Sequence, residues 1–154
     1  MQDSMRSMIL DILSKQADLT IATVRADGYP QATTVSYVND GLAIYFGCSP
    51  HSQKAQNIAR NDKISLTVTP PYTDWNSIRG ISIGGRAQRI VDDVELIRIG
   101  GLFFKKFPYV VQYAPQDRSE LALFVIVPLV ISVLDYTKGF GHSDLIIADA
   151  AAAV

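Results

Sequence analysis

The chain has 154 residues, of which 48% are apolar and 19% charged, with a formal net charge of −1. That length and apolar share predict one packed domain over 1–154 and exclude wholesale disorder. The near-neutral balance excludes the basic footprint of general nucleic-acid binding, and a single cysteine, Cys48, excludes an internal disulfide or a multi-cysteine metal site.

Met5, Met8, Ile9, Ile12 and Leu13 recur at helical spacing and predict an amphipathic helix over 3–16. The runs LTIATVRA, QATTVSYV and LAIYFG follow, separated by Asp27-Gly28-Tyr29-Pro30 and Asn39-Asp40-Gly41. They are rich in β-branched and aromatic residues and read as an antiparallel meander. A short helix is expected next, with Ser49 as N-cap, Pro50 as first helical residue and Asn61-Asp62 at its end. KISLTVT is a fourth strand stopped by Pro70-Pro71, and YTDWNS is a loop in which Tyr72 and Trp75 could stack on a planar ring or pack on a partner.

RGISIGGRAQRIV is a long fifth strand whose Gly84-Gly85 predicts a bulge or a close backbone approach. Asp92 and Glu95 form a capping-box pattern before a helix over 93–106, and 108–119 reads as irregular. LALFVIVP and LVISVLDY predict one long strand bent at Pro128, or two short ones. A glycine-rich loop, Lys138–His142, comes after it, and 145–154 is expected to be a loose tail. Three strands in succession exclude a regular parallel α/β fold. The expected fold is mainly β: a barrel of about six antiparallel strands with an N-terminal helix and two inserted helices.

The N-terminus lacks the apolar run of a signal peptide, and the apolar stretch Leu121–Leu134 is broken by Pro128 and falls short of the roughly 18 residues of a membrane span. A soluble cytoplasmic domain is the expectation, without membrane or nucleic-acid partners. Two histidines far apart and one cysteine give no metal-ligand spacing.

The chemistry-bearing stretch is Tyr45–Leu66, where a strand delivers the chain into a helix start at Ser49–Ser52. The first N–H groups of a helix lack partners and carry partial positive charge; Ser52 adds a hydroxyl and Lys54 a full charge. The segment therefore suits a phosphate. His51 lies beside it and could assist as imidazolium. Taken alone, a Ser-x-Lys is more often an ordinary cap and a solvated lysine.

The order of motifs resembles the pyridoxamine 5′-phosphate oxidase-like family of FMN-binding split barrels. Asp27-Gly28-Tyr29-Pro30 matches its DGxP turn, Tyr45-Phe46 its aromatic strand end, Ser52 to Ile58 its SxKxxNI, Asn61 to Leu66 its N(D/P)xISL, and Gly85 to Ile90 its GxAxxI. The resemblance covers about 10–135. It implies a split-barrel homodimer with FMN at the subunit interface, and a flavoprotein performing two-electron transfer on a small substrate. It implies that Ser52 and Lys54 bind the phosphate, that Tyr45 and Phe46 flank the ribityl chain, and that Thr33, Thr34, Val35 and Ser36 lie along the ring edge. A register slip of one residue would exchange which of these four face the ligand.

The chain departs from the oxidases in lacking basic residues on its second strand, in carrying Gln53 where they often have arginine, and in lacking their C-terminal Arg-x-His. It is therefore not expected to be a true pyridoxamine phosphate oxidase. The alternatives are a non-catalytic flavin- or haem-binding barrel, with His51 and His142 the only histidines for iron, or a deazaflavin (F420)-dependent reductase. His142, in Gly-Phe-Gly-His, is the candidate proton donor, on a loop expected to reach the pocket of the neighbouring subunit.

Overall fold

A computed structural model describes residues 3–148. Helix α1 (Asp3–Lys15) leads into the meander β1 (Asp18–Val24), β2 (Pro30–Asp40) and β3 (Ala43–Cys48). Helix α2 (Gln53–Arg60), β4 (Lys63–Val68), β5 (Arg79–Arg89), α3 (Asp93–Lys106), β6 (Ala122–Asp135) and β7 (Ser143–Ile147) complete it. The strand order is β3-β2-β1-β4-β5-β6-β7, and β3 also pairs with β6, so six antiparallel strands close into a barrel and β7 is appended. This is the split barrel that the sequence predicts.

The split occurs along β6. Its first half, Ala122–Ile126, pairs with β3, and its second half, Val130–Leu134, pairs with β7. Between them stands Pro128, which has no N–H to give a ladder. There the β5–β6 register shifts: Gly84 opposes Val130 while Gly85 opposes Pro128, leaving Leu129 as the extra residue of a bulge. A side chain at Gly85 would lie 2.6 Å from the Val127 carbonyl oxygen, so only glycine admits this approach. The apolar run near Pro128 is one continuous strand.

Two apolar clusters hold the molecule. One fills the barrel and includes Ile21, Tyr37, Ile44, Phe46, Ile83, Ile126 and the buried face of α1. The other lies outside it, where Ile99 and Phe107 pack on Val38, Ala43, Tyr45 and Leu123. Residues 90–121, carrying α3, are thus an arm laid across the outside of β2, β3 and β6. The arm is closed at its base, because Arg89 pairs with Phe124 and the Ile90 amide donates to the Leu123 carbonyl at 2.9 Å.

Two expectations are corrected. Helix α2 begins at Gln53 with Ser52 as its cap, because Ser49 instead opens a turn in which its carbonyl accepts from the Ser52 amide at 3.0 Å. The loose tail expected from 145 gives way to β7, whose residues alternate in exposure against β6. Residues 149–154 of that expectation lie outside the described ones. No helix among the described residues is long and apolar enough to cross a membrane.

Candidate functional site

A cleft of about 630 Å³ opens between the barrel wall and the arm. Its barrel side is Thr34, Val35 and Ser36 of β2, Gly47 and Cys48 of β3, and Lys54 of α2. Its other side is apolar: Gly100, Phe103 and Phe104 of α3, Val110, Val111, Tyr113, Ala114 and Pro115 of the following segment, and Leu121 and Leu123 around the start of β6. Polar groups confined to one wall opposite aromatic and aliphatic ones make a site for a flat ligand with a polar edge.

The register of β2 settles which of its residues can take part. Leu19 pairs with Val35 and Ile21 with Thr33, and both leucine and isoleucine point into the barrel core. Thr34 and Ser36 therefore face outward and are exposed. Thr33 does not line the cleft, and its hydroxyl oxygen is buried without a hydrogen-bond partner among the described residues.

The same alternation divides the aromatic pair of β3. Phe46 is fully buried in the barrel, stacked on Phe124 with ring centroids 5.2 Å apart, and its side chain is unavailable to a ligand. Tyr45 faces outward but sits beneath α3, where Arg98 donates to its hydroxyl at 3.1 Å and lies 5.6 Å from its ring centroid. It lines a separate hollow with Asp40 and Glu95, both ion-paired to Arg98.

At the mouth of α2 the expected anion-binding residues separate. Lys54 lines the cleft and, among the described residues, joins no ion pair. The Ser52 hydroxyl accepts from the Ala55 amide at 3.3 Å and donates to Cys48 Sγ at 3.4 Å, so it is occupied as the cap. His51 is exposed and does not line the cleft. The helix is pinned by Asn57, fully buried, which donates to Thr23 Oγ1 at 3.0 Å and to Gln31 Oε1 at 3.2 Å and accepts from Gln53.

Beyond the cleft floor, Ser36 Oγ donates to Asp18 Oδ1 at 2.6 Å. The Lys106 ammonium sits 4.0 Å from the Tyr37 ring centroid and donates to the Leu13 carbonyl at 3.4 Å. Burial holds that ammonium below its ordinary pKa, while the Asp18 charge pulls the other way. Burial likewise pushes the Tyr37 hydroxyl well above its usual range.

The remaining singled-out residues lie elsewhere. His142 Nε2 is 3.0 Å from Asp144 Oδ2, which also takes Lys138, and the histidine is not part of this chain's own cleft. Hydrogen bonds from Lys138 and His142 hold the Asp144 carboxyl below its ordinary range, outweighing the effect of burial. Arg86 pairs with Asp62 and Arg79 with Asp135. Trp75 is exposed against Phe140, away from the cleft. No group of described residues has the makings of a metal site.

Sequence reasoning missed the apolar wall. The signal for it was that α3 carries large apolar residues on more than one face, Ile99 and Phe103 packed while Ile97 and Phe104 stand exposed.

A family model described as pyridoxamine 5′-phosphate oxidase matches residues 5–132. Among solved structures, a haem-binding protein from Mycobacterium smegmatis is 22% identical with a TM-score of 0.82, covering 99% of this chain, which spans 62% of that protein's length. A conserved hypothetical protein from Mycobacterium tuberculosis, Rv2991, is 25% identical at TM-score 0.75, with 99% and 95% of the two chains covered. An F420 reductase is 23% identical at TM-score 0.64, with 79% and 94% covered. A search of curated proteins finds no match.

Proposed function

The chain belongs to the pyridoxamine 5′-phosphate oxidase family, and from that premise we propose that it is an FMN-binding flavoprotein acting as an oxidoreductase on a small substrate. The observation that carries the reading is the cleft itself, with Lys54, which no described residue ion-pairs, and the outward hydroxyls of β2 facing an aromatic wall. The donor set fits a phosphorylated, planar, amphiphilic ring. Lys54 and the free amides at the start of α2 would take the phosphate, Thr34 and Ser36 the polar edge of the ring, and Phe103, Phe104 and Leu121 its apolar body. When bound, the flavin supplies two-electron transfer; the chain supplies anchoring, orientation and exclusion of water.

The functional unit in this reading is a homodimer. Val94 and Ile97 on α3, and Leu145 and Ile147 on β7, expose apolar side chains that a second copy would cover. A partner's Lys138–His142 loop would then approach the cleft, with His142 as the proton donor.

The similar F420 reductase supports a deazaflavin as the competing ligand, since it carries a related ring and a phosphate. Haem, which the M. smegmatis protein binds, gains no axial histidine from this chain's own side of the cleft, because neither His51 nor His142 lines it, and the histidine open to iron would be a partner's His142. Titration of the purified chain with FMN, F420 and haem, each followed by its visible spectrum, tests the reading. Tight uptake of FMN is expected; preference for either competitor would replace it.

A further inference from the structure

We propose that Asp18, acting through Ser36, makes the β2 wall of the cleft a hydrogen-bond acceptor at that position and so selects a ring that presents an imide N–H. This rests on the reading of the cleft as a site for a flavin-class ring.

Asp18 and Ser36 are directly opposite each other across β1 and β2, and both face outward. An ionised carboxylate can only accept hydrogen bonds, so the 2.6 Å contact commits the Ser36 proton to Asp18. A hydroxyl whose proton is held in this way has only lone pairs left to offer the cleft that it lines. The charge-assisted bond also polarises the oxygen and strengthens it as an acceptor.

The polar edge of a flavin carries an N–H between two carbonyls, and a deazaflavin carries the same imide. A ring offering only carbonyl oxygen at this point would meet an acceptor and leave both groups unpaired, which a cleft closed on one side by Phe103 and Leu121 penalises. Asp18 is a positioning residue here: it does not line the cleft and works by orienting the hydroxyl that does. The pair is independent of the phosphate anchor at Lys54, so each can be tested without the other.

The experiment compares FMN with its N3-methylated analogue, which keeps the phosphate and the ring but lacks the imide N–H. Both are titrated into the wild-type chain, Ser36→Ala and Asp18→Ala, with thermal melting to confirm folding. The wild type should prefer FMN by about tenfold. The preference should vanish in Ser36→Ala and fall to roughly threefold in Asp18→Ala, where the freed hydroxyl accepts without charge assistance. Asp18→Ala leaves the cleft wall's shape intact, so a preference that arises only from crowding by the methyl group would persist in it. A wild-type ratio retained in both variants overturns the inference while leaving FMN binding in place. If Asp18→Ala does not fold, Asp18→Asn, which keeps the side chain's size and removes its charge, takes its place, with the same fall in preference expected. Failure of the wild-type chain to bind FMN overturns the flavin reading and this inference with it.

Discussion

Lys54 was named from a motif match and Thr33 only from its place on a strand of open register, and the structure parts them. Lys54 brings to the cleft a cation that no described residue ion-pairs, so Lys54→Ala should weaken FMN about ten- to a hundredfold while weakening riboflavin far less, because only FMN carries the phosphate. Isothermal titration with both ligands checks this, and equal losses would remove Lys54 from the anchor. Thr33 turns its hydroxyl into the barrel, where it is buried without a partner among the described residues. Thr33→Val keeps the shape and removes the unpaired oxygen. It should raise stability by roughly 1 kcal/mol in urea unfolding and leave FMN affinity unchanged. The sequence could not make this distinction, because Thr33, Thr34, Val35 and Ser36 all suit either face of a strand. It is the pairing of Ile21 with Thr33 that sends the odd-numbered residues inward.

Most elements were legible because each carries a period or a punctuation mark of its own. The strands of the meander are bounded by Asp-Gly turns, and α3 starts where Asp92 accepts from the Glu95 amide at 3.0 Å. The start of α2 was misplaced because Ser49 and Ser52 are both good caps, and only the bond from the Ala55 amide chooses between them. β7 was missed because five residues beside glycines and alanines carry too short an alternation to stand out. Two elements are held by buried polar groups, and both can be probed. Asn57→Ala would strand Thr23, Gln31 and Gln53 at the foot of α2 and should cost about 2 kcal/mol in chemical unfolding, with FMN affinity falling because Lys54 rides on that helix. Asp135, at the end of β6, is nearly fully buried and takes hydrogen bonds from Thr137 and Arg79. Burial alone would raise its carboxyl, but those bonds and the Arg79 charge together hold it below its ordinary value of 3.8. A carboxyl lowered by folding contributes stability that is fully present above that ordinary value and is lost as pH falls through the lower folded one. Asp135→Asn should therefore melt earlier than wild type at neutral pH, by on the order of 1 kcal/mol, and the two melting curves should converge in acid. A gap that stays constant with pH would refute the assignment.

At the scale of the whole molecule, the sequence disclosed the barrel and the polar half of the cleft, since strand periodicity and short motifs encode both. It concealed the apolar half, because the residues that form that wall become neighbours of β2 only when the arm folds back over the sheet. The exposed Val94 and Ile97, on α3 but outside the cleft, give the assembly prediction. Light scattering should return about twice the chain mass at micromolar concentration, and Ile97→Asp should shift the protein toward monomer without lowering its melting cooperativity. A wild-type monomer with full FMN affinity would refute the shared-site dimer.

The closed base of the arm bears on how such a protein can change over evolutionary time. Because Arg89 and Phe124 are already ladder partners, residues 90–121 enter and leave the barrel at one point, and the interior cluster is complete without them. Insertions, deletions or wholesale exchange within that segment would redraw one wall of the cleft while the strands carrying Thr34 and Ser36 stayed in register. Descendants of one scaffold could in this way diverge in the molecules they accept by rewriting a single contiguous cassette.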